Sequence, residues 1–155
     1  MLIRIVAAMV AIAASLPSWA GDEAPRYLTG ARAGASATLP FSDAVWAGNT
    51  LYVSGNIGID PKTERAPQDT ALEAKLVMDA VQATVERAGL TMDDLVSVTV
   101  YCTDLGLYDT FNSAYRSYFH EHFPARAFIG VAQLLRGGHY EVQGVAVGKP
   151  APRKK

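Results

Sequence analysis

The stretch FPARAFIGVAQLLRGGHYEVQGVAV, residues 123–147, decides how this chain is read. ARAFIGV and YEVQGVAVG have the make-up of two strands, and LLRGGH between them reads as a turn around Gly137-Gly138. The first strand carries a charge, Arg126, at its apolar start. A guanidinium keeps its proton, and burying it unpaired costs several kcal/mol. Arg126 therefore needs a carboxylate within the chain or an anionic ligand from outside. A hairpin through the glycines would set Arg126 and Glu141 on neighbouring strands. Period two groups Glu141 with Gln143, Val145 and Val147, a face that is polar at one end, where a pocket would open, and apolar at the other. Two uses of the pair stay open here. They form a structural salt bridge, or Arg126 offers its planar fork to a ligand carboxylate while Glu141 holds and activates a water.

Upstream, SDAVWAGNTLYVSG predicts a hairpin turning at Ala47-Gly48-Asn49, and IDPKTERAP a polar loop. TALEAKLVMDAVQATVERAGL predicts a helix with a Thr70–Glu73 capping box, an apolar stripe through Leu72, Leu76, Ala80 and Val81, and a stop at Gly89. LVSVTVYCT alternates, with Val96, Val98, Val100 and the single cysteine, Cys102, on a buried face. LYDTFNSAYRSYFHEHF predicts a second helix with a stripe of Phe111, Tyr115, Tyr118 and Phe119. The order β-β-α-β-α-β-β points to an α+β fold: one mixed sheet with two helices packed on one face. The other face then needs a cover, and a partner subunit is the expected one.

Residues 1–20 have a basic start, a short apolar run and small residues at Ser18 and Ala20, the pattern of a secretory signal cleaved after Ala20. The expected organisation is a signal at 1–20, a single domain at 21–148 and a basic tail at 149–155, with the product secreted or periplasmic and free of the membrane once cleaved. The mature chain would have 155 − 20 = 135 residues and a charge of (14 − 1) − 15 = −2. That balance argues against nucleic-acid binding, which needs a basic face. One thiol allows no internal disulfide. His120 and His122 are two apart, which on a helix points them in different directions, and His139 is isolated, so no metal site is expected. GNIGID lacks the Walker lysine, and no serine sits in a nucleophile elbow.

Several motifs, in order, resemble the RidA group, the reactive-intermediate enamine/imine deaminases formerly called YjgF. FPARAFIGVAQL followed by YEV is similar to the family's Pro-Ala-Arg with a downstream Glu. SGNIGIDPKT, LPFSDAV and VYCTDLGLYDTFNSAY resemble its further signatures. The resemblance covers about Ala35 to Val147. It implies a chorismate-mutase-like α+β fold and a homotrimer with pockets between subunits. It implies that Arg126 clamps a substrate carboxylate, that Glu141 positions the attacking water, and that Ser54, Gly55 and Asn112 line the pocket. Phe41 stands where a tyrosine is usual, Phe128 where a cysteine is common, Asn56 for Gln and Gln143 for a second Glu. The implied reaction is hydrolytic deamination of 2-imino acids or enamines to 2-keto acids and ammonia, without cofactor or metal. Two other readings belong beside it: a trimer that binds small carboxylates without turnover, and an RNA-cleaving or translation-inhibiting protein.

Overall fold

The computed structural model describes residues 24–30 and 40–148. The expected signal and tail lie outside them. Six strands form one mixed sheet: β1 (Arg26–Leu28), β2 (Ala44–Ala47), β3 (Thr50–Ile57), β4 (Leu95–Cys102), β5 (Ala125–Gly130) and β6 (Tyr140–Val147). Two helices, α1 (Thr70–Arg87) and α2 (Tyr108–Tyr115), pack on one face. The expected α+β class is the observed one, with β1 as an addition. Its three residues pair with β2, although their composition is unremarkable for a strand.

The β2–β3 hairpin turns where expected. Gly48 takes φ +59° and Asn49 does not go positive, the pattern of a type II′ turn. Helix α1 ends on Gly89, φ +87°, with Gly89 N–H donating to Glu86 and Leu90 N–H to Val85. That doubly bonded ending closes the last carbonyls. The start of α1 differs from expectation. Asp69 is the cap, its carboxylate accepting from Ala71 and Leu72 N–H at 2.9 and 3.2 Å. Glu73 is wholly buried and bonds elsewhere. Asp69→Ala is expected to cost about 1 kcal/mol of stability, read as a lower urea midpoint with an unchanged slope.

The buried stripe of α1 is Ala74, Val77, Met78, Val81 and Val85, while Leu72 is exposed. The helix crosses the sheet so that its i, i+3, i+4, i+7 row from Ala74 packs over β3 and β6, in one core with Leu51, Val53 and Val142. In β4 a register shift between Leu95 and Ser97 turns Val96 outward, and Leu95 takes the buried place. Val98, Val100 and Cys102 are buried as expected. Burial also pushes the Cys102 thiol up, which suppresses thiolate. Helix α2 is shorter than its pattern: a 3-10 turn at Arg116–Tyr118 ends it. His120 and His122 therefore lie beyond it, both exposed.

The strand order is β1-β2-β3-β6-β4-β5. Strand β5 runs parallel to β4, which requires a crossover, and the α2 segment supplies it. Strand β6 does not form a hairpin with β5. It inserts between β3 and β4, antiparallel to both. A β5–β6 hairpin would leave the edges of β3 and β4 unpaired, whereas insertion satisfies both. Residues 131–139 carry the chain past β4, a step of about 10 Å between strand axes.

Candidate active site

The insertion of β6 separates the two charges that the sequence paired. Arg126 and Phe128 on β5 are level with Val98 and Val100, so they point to the helix face. Glu141 lies between the buried Tyr140 and Val142 and is level with Tyr101 and Ile57 on the opposite face. Arg126 and Glu141 do not form a salt bridge, and among the described residues Arg126 has no carboxylate partner.

Around Arg126 the chain builds a cage of rings. Its guanidinium carbon is 4.6 Å from the Tyr115 ring centroid, 5.6 Å from Tyr108 and 5.8 Å from Phe128. A terminal nitrogen donates to the Tyr108 hydroxyl at 3.3 Å. Ring faces hold a guanidinium by its π surface, which leaves N–H donors in its plane for a carboxylate. Phe128 meets Tyr108 edge-on at 5.0 Å and Phe111 at 5.6 Å. Tyr108, Asn112 and Tyr115 follow the i, i+4, i+7 row of α2, which sets the half-buried Asn112 in the same stripe. The Tyr115 hydroxyl is buried without a hydrogen-bond partner. Burial pushes it up to about 12 against the pull of Arg126, so it remains a neutral donor near neutral pH.

The second cluster sits on the uncovered face. A bulge in β3 between Val53 and Asn56 sets Ser54 and Gly55 together opposite the Gln143 level of β6. Ser54 Oγ donates to the Ser42 carbonyl at 2.6 Å, next to the exposed Phe41. Glu141 lies over Gly55 so closely that a Cβ there would fall on its Oε1. Gln143 donates to the Tyr101 hydroxyl at 3.1 Å. Gly55→Ala is therefore expected to swing Glu141 aside. Turnover should fall about tenfold with the fold intact, measured as kcat beside a thermal melt.

Within one chain, Arg126, Phe128 and Asn112 form one group, and Phe41, Ser54, Gly55 and Glu141 another. His139 is not isolated: its Nδ1 lies 2.6 Å from Glu73 Oε2. Glu73 was legible only as a cap. No local pattern marks it, because its partners lie more than sixty positions away. Among the described residues no group of three metal-ligating side chains occurs.

These features define a small α+β protein with a ring-stacked arginine on the helix face of its sheet and a glutamate over a strand bulge on the other face. Residues 32–148 match the family model described as Endoribonuclease L-PSP, and the chain belongs to this family, that of the RidA/YjgF proteins. It is 40% identical over 111 residues to the 2-iminobutanoate/2-iminopropanoate deaminase of Escherichia coli K12, spanning 70% of this chain and 87% of that one. The crystal structure of the E. coli YjgF gene product superposes with a TM-score of 0.66 at 39% identity, covering 72% of this chain and 90% of that one. That of E. coli TdcF with bound serine gives 0.70 at 31% identity, covering 79% and 98%. The family expected from the motifs is the family found.

Proposed function

We propose that this protein is an imine deaminase, hydrolysing 2-imino acids or their enamine tautomers to 2-keto acids and ammonia. The observation that carries the reading is Arg126, ring-stacked, cationic and without a carboxylate partner among the described residues. Such a group suits the one feature every 2-imino acid has, a carboxylate beside the reacting carbon. The deaminase name of the E. coli relative and the serine bound to TdcF, itself a small carboxylate, support it.

In the mechanism, the substrate carboxylate lies in the fork of Arg126. Glu141 accepts a hydrogen bond from water and directs its oxygen at C2. Addition across C=N gives a carbinolamine, and its collapse releases ammonia and leaves the keto acid. An iminium carbon is already electrophilic, so positioning supplies most of the acceleration. This step needs Arg126 and Glu141 in one pocket. Their placement on opposite faces supports a homotrimer in which the Arg126 cluster of one subunit meets the Glu141 cluster of its neighbour. The uncovered sheet face, with Tyr52 and Val147 exposed, supports the same assembly. The pattern of residues 1–20 supports export, and with it an activity outside the cytoplasm.

The test is imine hydrolysis. An amino-acid oxidase generates 2-imino acids from a panel of amino acids in the presence of semicarbazide. Lower semicarbazone formation with the protein present is the expected result. Unchanged formation across the panel, with folded protein, would leave Arg126 as the anchor of a binding site.

A further inference from the structure

Glu73 is the most buried charge in the described chain, 0% exposed, and the mechanism above makes no use of it. A carboxylate at that depth is costly unless its oxygens are hydrogen-bonded. Here they are. Oε1 accepts from the backbone N–H groups of His139 and Tyr140 at 2.6 and 3.0 Å. Oε2 lies 2.6 Å from Nδ1 of the same histidine. A side chain on α1 thus grips the end of the loop that carries the chain past β4 and the first residue of β6. The next residue is Glu141.

The grip extends in both directions. The His139 carbonyl accepts from Thr103 N–H at 3.1 Å, at the end of β4. The Tyr140 hydroxyl donates to the Leu107 carbonyl at 3.3 Å, one residue before the Tyr108 that holds Arg126. Glycines make room for it. A Cβ at Gly58 would fall on the Glu73 backbone carbonyl, and one at Gly138 would meet Ile57. Two consecutive backbone donors aimed at one oxygen fix both the position and the rotation of the strand start. The direction in which Glu141 leaves β6 follows from that rotation.

We propose that Glu73 is a positioning residue for Glu141, clamping the start of β6 so that the Glu141 carboxylate stands over the Ser54–Gly55 bulge. The inference rests on the deaminase reading and on the role given there to Glu141. It needs no contact between Glu73 and substrate.

The experiment is a double-mutant cycle in the semicarbazide assay, with kcat and KM measured for wild type, Glu73→Gln, Glu141→Gln and the double variant. Thermal melts and size-exclusion profiles establish which variants are folded. Glutamine can still accept at one oxygen but loses the negative charge that the two N–H groups and the imidazole face. For Glu73→Gln the expected result is a kcat lower by about tenfold, the scale of small misplacements near a reacting centre, with KM within about twofold because Arg126 is untouched. In the Glu141→Gln background the same change should alter kcat by less than about twofold, since its effect passes through Glu141. His139→Ala, which keeps both backbone donors, should show a smaller kcat loss with the same non-additivity. It carries the test if Glu73→Gln does not fold. A folded Glu73→Gln enzyme with wild-type kcat and only a lower melting temperature would make Glu73 merely structural and overturn the proposal. Equal fold losses in both backgrounds would also overturn it. If Glu141→Gln itself keeps wild-type kcat, the assigned role of Glu141 fails instead, and the proposal falls with it for that separate and recognisable reason.

Discussion

Arg126→Ala should lower kcat/KM for imine hydrolysis by about 100-fold or more, the loss of two charge-assisted hydrogen bonds to the substrate carboxylate. The guanidinium has no other ionic work among the described residues, since no described carboxylate reaches it. Its removal should cost at most about 1 kcal/mol of stability, the scale of its contact with the rings of Tyr108, Tyr115 and Phe128. Activity and stability therefore separate in this variant, and a semicarbazide assay beside a thermal melt reads both. Arg126→Lys keeps the charge but not the fork, and should recover only part of the loss. A variant with wild-type kcat/KM would mean that the carboxylate binds elsewhere.

Glu141→Gln should lower kcat by about 100-fold, within the range for loss of a group that handles the proton of an attacking water, while KM changes little. The side chain keeps its shape over Gly55, so the effect isolates the charge. If kcat is instead lost on changing Gln143, the next residue on the same face, the water is held one step further along β6. The same two variants test the shared pocket. Chains carrying Arg126→Ala and chains carrying Glu141→Gln are each expected to be inactive. Refolded together, they should regain about a quarter of wild-type activity, because random pairing around a ring unites the intact Arg126 of one chain with the intact Glu141 of another. No recovery would mean that the Arg126 of one chain and the Glu141 of another do not share a pocket.

Much of the molecule is legible in the primary structure because it depends on near neighbours. The II′ turn at Gly48, the helix stop at Gly89 and the alternation of Val98, Val100 and Cys102 follow from residues a few positions apart. The motifs around Pro124-Ala125-Arg126 were enough to place the family. The misreadings all needed information from elsewhere in the chain. Thr70-x-x-Glu73 has the form of a capping box, yet Asp69 caps the helix and Glu73 is drawn inward by donors at residues 139 and 140. Leu72 has the spacing of a core residue, but the row through Ala74, Val77 and Val81 is the one buried, and Leu72 lies on the opposite side of the helix. Val96 alternates correctly until the register shift at the start of β4 turns it outward.

The sequence by itself determined the elements other than β1, the family and the two residues, Arg126 and Glu141, on which the chemistry is proposed to rest. Only the tertiary structure decided that they stand apart. Strand β6 enters between β3 and β4 because that place satisfies the backbone donors and acceptors of two edges at once, where a local hairpin with β5 would satisfy one. Once it is there, the twofold alternation of a strand leaves no choice. Tyr140 and Val142 take the core, and Glu141 faces away from the helices and from Arg126.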